Sequence, residues 1–299
     1  MLPLQLSVVQ LAFVLPRIPV HQGSHRGGRL QALAPESQAA KADLLAAIAD
    51  FNVAKEESGE MAVDFGVKGG ELDKDSRAPV NLADGGFYQV SERLGKAADK
   101  VIQQIDVLKP LNPTADPTEF FGTQEGAQCP LHGSWINVFT TAADATFSSG
   151  SKRGDARVSN TVDAVSGRVW NCIDFLPPAE GPASPLEQLR VRLSATAVST
   201  SKIELVFRLV KARVSKFFFF PLFGRRLTLT LPVPGPFITR LLFFFRRSKK
   251  PPPAFFEVLY LDETLRIHRT GQGAYFVQER PPWGRLAGQV RSLADGTPQ

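Results

Sequence analysis

A helical period of apolar positions marks the first half of the chain, and a period of two marks the second. In residues 41–51, Leu44, Leu45, Ile48 and Phe51 recur at helical spacing and predict one helix. Across residues 88–108, Val90, Leu94, Ala97, Val101, Ile105 and Leu108 follow one another in steps of four and three, the stripe of an amphipathic helix. Pro110 and Pro113 forbid its continuation. Residues 58–86, charged and glycine-rich, read as a loop or linker between the two. From Gly133 the pattern changes. Residues 134–141, 156–165, 168–175, 189–198 and 203–214 are β-branched-rich runs bounded by Gly, Pro and Ser, with Ser166-Gly167 as a hairpin signal. In the closing stretch, residues 260–280, Leu265, Ile267 and Arg269 alternate with polar positions, as do Tyr275, Val277 and Glu279. Gly271-x-Gly273 permits the reversal between these two runs. Many short strands at close spacing predict a closed antiparallel sheet or a sandwich.

Composition adds three constraints. At 299 residues, with 43% apolar and 21% charged positions, the chain is long enough for a substantial core. Its two cysteines, Cys129 and Cys172, exclude a disulfide scaffold while leaving one bridge open. The aromatic content is lopsided: 22 Phe stand against 3 Tyr and 3 Trp.

Much of that Phe is concentrated in residues 211–250, which hold ten basic residues, nine Phe and no acid. Phe217, Phe218, Phe219 and Phe220 form one cluster, with Arg225 and Arg226 behind it. Phe243, Phe244 and Phe245 form another, followed by Arg246, Arg247, Lys249 and Lys250. Phe enters the acyl–headgroup boundary of a membrane, and each Arg or Lys near an anionic surface contributes about 1 kcal/mol. The longest uncharged run, residues 227–239, is 13 residues with three prolines, too short and too broken for a spanning helix. The competing account is a set of core strands with inward Phe and solvated basic residues; residues 226–231 read as strand. Membrane contact by the two Phe clusters is the preferred account. Single-stranded nucleic acid would use isolated aromatics on alternate positions rather than four in a row, so no nucleic-acid partner is expected.

The catalytic inventory is thin, and no enzyme, cofactor or metal is expected. Gly-x-Ser-x-Gly, the P-loop and His-Glu-x-x-His are all missing from the sequence. Cys129 and His132 offer two ligands where zinc takes three or four, so the pair reads as a loop entering the first strand. Asp262 and Glu263 are adjacent and read as a solvated turn rather than an opposed acid–base pair.

The N-terminus reads as an address. Residues 2–15 are mostly apolar and uncharged, Arg17, His21, His25, Arg26 and Arg29 follow, and the first acid is Glu36. An apolar segment followed by an acid-free basic tract has the composition of a cleaved organellar leader, here one of two parts. A Pro-broken tail with no address is the alternative.

Five ordered blocks resemble the plastid fibrillins, or plastid lipid-associated proteins: residues 108–118 (LKPLNPTADPT), 131–141 (LHGSWINVFTT), 166–175 (SGRVWNCIDF), 202–207 (KIELVF) and 260–277 (YLDETLRIHRTGQGAYFV). Thr270 after Arg269, the Phe-rich stretch and the long Gly-rich insert depart from the family pattern. The resemblance implies a mainly β fold with N-terminal helices and a lipocalin-like antiparallel β-barrel. It also implies plastid residence at thylakoids or plastoglobules. The expected organisation is a leader over 1–35, a helical segment over 36–122, the barrel over 123–281 and a flexible tail over 282–299. In such a barrel a Trp on the first strand plugs the closed end beneath an Arg from the last strands. Gly133 and Trp135, with Arg266 or Arg269, are the candidates, and an ordinary core Trp with surface arginines is the alternative. The expected partners are a lipophilic small molecule (carotenoid, quinone or acyl lipid) and a membrane or lipid-droplet surface. A structural coat protein with a solid barrel is the second reading.

Overall fold

The computed structural model describes residues 34–58, 92–142, 156–177, 185–217, 220–221, 226–233, 254–271 and 273–281. The leader, the Gly-rich insert, most of the Phe-rich stretch and the C-terminal tail lie outside the described residues. Among the described residues, two α-helices, α1 (Pro35–Ser58) and α2 (Glu92–Leu108), precede eleven strands. These are β1 (Gly133–Thr140), β2 (Ala156–Asp163), β3 (Arg168–Phe175), β4 (Leu186–Ala197), β5 (Lys202–Val214), β6 (Lys216–Phe217), β7 (Phe220–Pro221), β8 (Leu227–Pro232), β9 (Ala254–Leu261), β10 (Leu265–Thr270) and β11 (Tyr275–Glu279).

Eight of them close into an antiparallel barrel in the order β4-β3-β2-β1-β11-β10-β9-β5, with β4 and β5 completing the ring. Closure leaves no open edge on the ring itself. The fold is therefore the lipocalin-like barrel rather than the sandwich. Along its edge away from β4, β5 serves two partners: its Lys202–Leu205 half pairs with β9, and Leu209–Val214 pairs with β8. Antiparallel registers put the start of β1, the end of β9 and the start of β10 at one end of the barrel. The end of β5 and the start of β9, which flank the Phe-rich stretch, lie at the other.

Two cores follow from this arrangement. Inside the barrel, Trp135, Val162, Val169, Leu193, Ile203, Leu205, Phe256, Val258 and Leu261 form one cluster. Outside it, Leu44, Ile48 and Phe51 of α1 and Leu94, Val101 and Ile105 of α2 cover Phe139, Leu259, Tyr260, Leu265, Ile267 and Val277 on β1 and β9–β11. Phe51 meets Phe139 edge-to-face with centroids 5.0 Å apart. The helices run antiparallel, since Arg93 pairs with Glu57 and Lys100 with Asp50. After α2, Asn112 Oδ1 accepts Leu261 N–H at 2.9 Å and Thr114 Oγ1 donates to the Leu261 carbonyl at 2.5 Å, clamping the end of β9. The Asn-Pro-Thr segment thus ties the helical part to the sheet.

β9 is the element that alternation misses. It is covered on both sides, by the helices and by the barrel interior, so its positions are apolar apart from Glu257. In the closing turn, Gly273 sits at φ +87°, a conformation that a side chain would strain. The cysteines form no disulfide and are both buried, Cys129 in the interior cluster and Cys172 on the outer wall. Burial pushes the Cys172 thiol up to about 11, with the Arg190 cation opposing it more weakly. Ellman's reagent at pH 8 is expected to react with neither thiol until denaturant unfolds the chain. Rapid modification of either one in native buffer would contradict this packing.

Candidate functional site

The end of the barrel at Trp135, here termed its floor, is built from the start of β1, the start of β10 and the end of β11. Gly133, at φ +122°, turns the chain into β1, a backbone conformation open to glycine. Two residues on, Trp135 is fully buried, and its indole N–H donates to the Leu131 carbonyl at 3.0 Å. Its ring carries two cations: the Arg266 guanidinium lies 5.1 Å from the centroid and that of Arg280 lies 3.9 Å away. Arg280 also donates to the carbonyls of Pro130, His132 and Glu263 at 2.8, 2.7 and 2.9 Å, so one guanidinium fixes the strand entry and the closing hairpin together.

Arg266 belongs to a row along β10. Register places Arg266, His268 and Thr270 on the inward side, facing Phe256 and Val258 of β9 and Phe276 and Gln278 of β11. Arg266 Nε donates to Gln278 Oε1 at 2.9 Å, and Nη2 donates to Asn160 Oδ1 at 2.7 Å and also to Gln278 Oε1. Gln278 in turn donates to Asn160 at 2.7 Å, and Asn160 to Asn171 at 2.8 Å. Burial alone pushes the Arg266 guanidinium down to about 9, which leaves it charged at neutral pH. His268 stacks face to face on Phe276 at 4.9 Å and tilts against Phe256 at 5.0 Å. Its burial, and then the Arg266 cation, hold it well below the usual imidazole range, so it is neutral.

Above the floor the packing loosens. Val162, Leu193 and Ile203 are fully buried, whereas Val191, Phe207 and Phe276, also inward, are only half-buried. On the outer wall, Trp170 of β3 lies between Arg192 at 6.0 Å and Lys211 at 5.4 Å, beside the Arg190–Asp174 ion pair at 2.5 Å.

Of the closure candidates, the structure brings together Gly133, Trp135 and Arg266. Arg269 lies elsewhere and pairs with Glu257 at 3.2 Å on the outside. It stands three positions after Arg266, an odd step that puts the two on opposite faces of a strand. Sequence reasoning missed Arg280, whose signal is its even spacing from Phe276 and Gln278. Asp262 is no solvated turn: it is buried and bonded to Lys41 of α1 at 2.6 Å. Cys129 donates to the Pro117 carbonyl at 3.7 Å and His132 Nδ1 accepts the Ala164 N–H at 3.2 Å, so both have local structural roles. Arg226 is exposed, with Nε 2.7 Å from Glu187. Phe217 and Phe220 fall in the short β6–β7 pair. Phe218, Phe219, Arg225, Phe243, Phe244, Phe245, Arg246, Arg247, Lys249 and Lys250 lie outside the described residues.

A family model described as PAP_fibrillin matches residues 85–279. No curated protein and no solved structure matches the chain.

Proposed function

The chain belongs to the PAP_fibrillin family of plastid lipid-associated proteins, and from that premise we propose that it binds or shelters a lipophilic molecule inside its barrel, at a plastid membrane or plastoglobule surface. The observation that carries this reading is the change in packing along the lumen. Trp135 is fully buried at one end, while Val191, Phe207 and Phe276 face inward yet stay half-buried. A carotenoid, quinone or acyl chain covering those side chains gains about 25 cal/mol per Å² of apolar surface removed from water, with no covalent chemistry. Mass spectrometry of organic extracts from protein purified out of its native tissue tests it. One pigment or lipid near equimolar ratio is the expected result. Extracts with no such molecule would favour the coat protein with a filled barrel.

Delivery to a surface is the second half of the proposal. β5 ends and β9 begins at the end of the barrel away from Trp135, and the sequence between them carries both Phe clusters. Replacing Phe217, Phe218, Phe219 and Phe220 by Ser is expected to weaken co-sedimentation with vesicles of anionic plastid lipid by about tenfold or more. Unchanged binding would remove these side chains from the membrane contact.

A further inference from the structure

A cation enclosed in a barrel calls for a counter-charge, and the structure around Arg266 supplies amides instead. Its hydrogen bonds go to Gln278 and Asn160, both neutral, while Nη1 is buried and has no partner among the described residues. The acids on the neighbouring strands are turned away: Asp174 pairs with Arg190, Glu257 with Arg269 and Glu187 with Arg226, and Glu204 and Glu279 take the outward parity. Of the other buried polar atoms left without a hydrogen bond among the described residues, three take inward positions on β10 and β1: His268 Nδ1, Thr270 Oγ1 and Asn137 Oδ1. A buried polar atom left unpaired costs about 1–3 kcal/mol, more for a charged group, so a group of four marks a place where something else completes the bonding.

We propose that the barrel takes a long-chain monocarboxylate head-first, its carboxylate on Arg266 Nη1 at the floor and its hydrocarbon chain running up toward the mouth. The inference deepens the lipophile-binding reading and rests on it. One carboxylate oxygen accepts from Arg266 Nη1, and a neutral His268 offers Nδ1–H to the other. Thr270, two residues further up the same row, and Asn137 on β1 serve polar substituents or the water that accompanies the head. The chain lies against Val191, Leu193, Leu205 and Phe207 on β4 and β5, the apolar wall. A neutral ester or hydrocarbon fills the same wall but leaves the buried guanidinium uncompensated.

The test compares radiolabelled palmitate with its methyl ester by equilibrium dialysis at neutral pH, on the full chain freed of endogenous lipid. Wild-type protein is expected to bind the acid at least about tenfold more tightly than the ester, the lower end of what one charged hydrogen bond supplies. Arg266→Gln should bring the two ligands to within about twofold by weakening the acid alone, and Arg266→Lys should restore part of the preference. Equal binding of acid and ester by the wild type overturns the head-group assignment, since water alone would then satisfy Nη1, and leaves the lipophile reading standing. Binding of neither ligand overturns both. The wild-type ratio needs no variant, so it decides the matter even if Arg266→Gln fails to fold.

Discussion

Trp135→Ala should lower the stability of the barrel by about 3–5 kcal/mol, the range for removing a large buried aromatic. The indole is fully buried at the floor, bonded to the Leu131 carbonyl at 3.0 Å and part of one interior cluster with Val162, Val169 and Leu193. Its loss removes that packing and opens a cavity under two cations. Arg280, 3.9 Å above the ring, would keep its three carbonyl acceptors but lose the surface it rests on. Trp135→Phe retains a ring and should recover more than half of the deficit. Urea unfolding followed by far-ultraviolet circular dichroism gives the comparison. A shift below about 1 kcal/mol for Trp135→Ala would mean that the floor is held by the strands alone and that Trp135 is no plug.

Asp262→Asn should destabilise by about 2–4 kcal/mol, because it removes a charge on which a lysine, hydroxyl groups and two backbone N–H groups converge in a buried site. Oδ2 accepts Lys41 Nζ at 2.6 Å and the Tyr260 hydroxyl at 2.9 Å, while Oδ1 accepts the N–H groups of Thr264 and Leu265, each at 2.7 Å. Burial by itself raises the pKa of this carboxyl. The Lys41 hydrogen bond, the backbone donors and the Lys41 charge outweigh burial and hold the carboxyl below the usual range. Burial also pushes the Tyr260 hydroxyl upward, so it stays protonated and donating. With the folded value depressed, the stabilisation is present in full above the unfolded value of about 3.9 and is lost as pH falls through the folded one. The stability gap between wild type and Asp262→Asn should therefore hold steady from about pH 5 to 8 and shrink in more acidic solution. Lys41 is on α1, so limited proteolysis should release that helix sooner from the variant. A gap unchanged at pH 3 would place the effect in packing rather than in the ionised carboxylate.

The β-branched runs bounded by Gly, Pro and Ser located β2, β3 and β4, whose predicted bounds agree with the observed ones to within three residues at either end. α2 was legible from its helical period: Leu94, Val101, Ile105 and Leu108 form its buried stripe. α1 begins earlier and ends later than residues 41–51, because Pro35 and Glu36 suit a first helical turn and the small residues around the Leu-rich centre do not break a helix. β10 inverts the usual rule. Its apolar Leu265 and Ile267 face outward under the helices, and its polar Arg266, His268 and Thr270 face the lumen. Read alone, that alternation shows a strand but not which side is the inside.

The sequence by itself determined the element types, the family and the closing hairpin, since all three rest on local period and on residues close together along the chain. Tertiary structure decided which faces are enclosed, that Arg280 joins Arg266 over Trp135, and that Asp262 meets a lysine 221 positions away. The physical reason is coverage: two helices laid over β1 and β9–β11 bury an outer face that would otherwise be wet. The side of β10 that looks fit for solvent is thereby turned into the lining of the barrel.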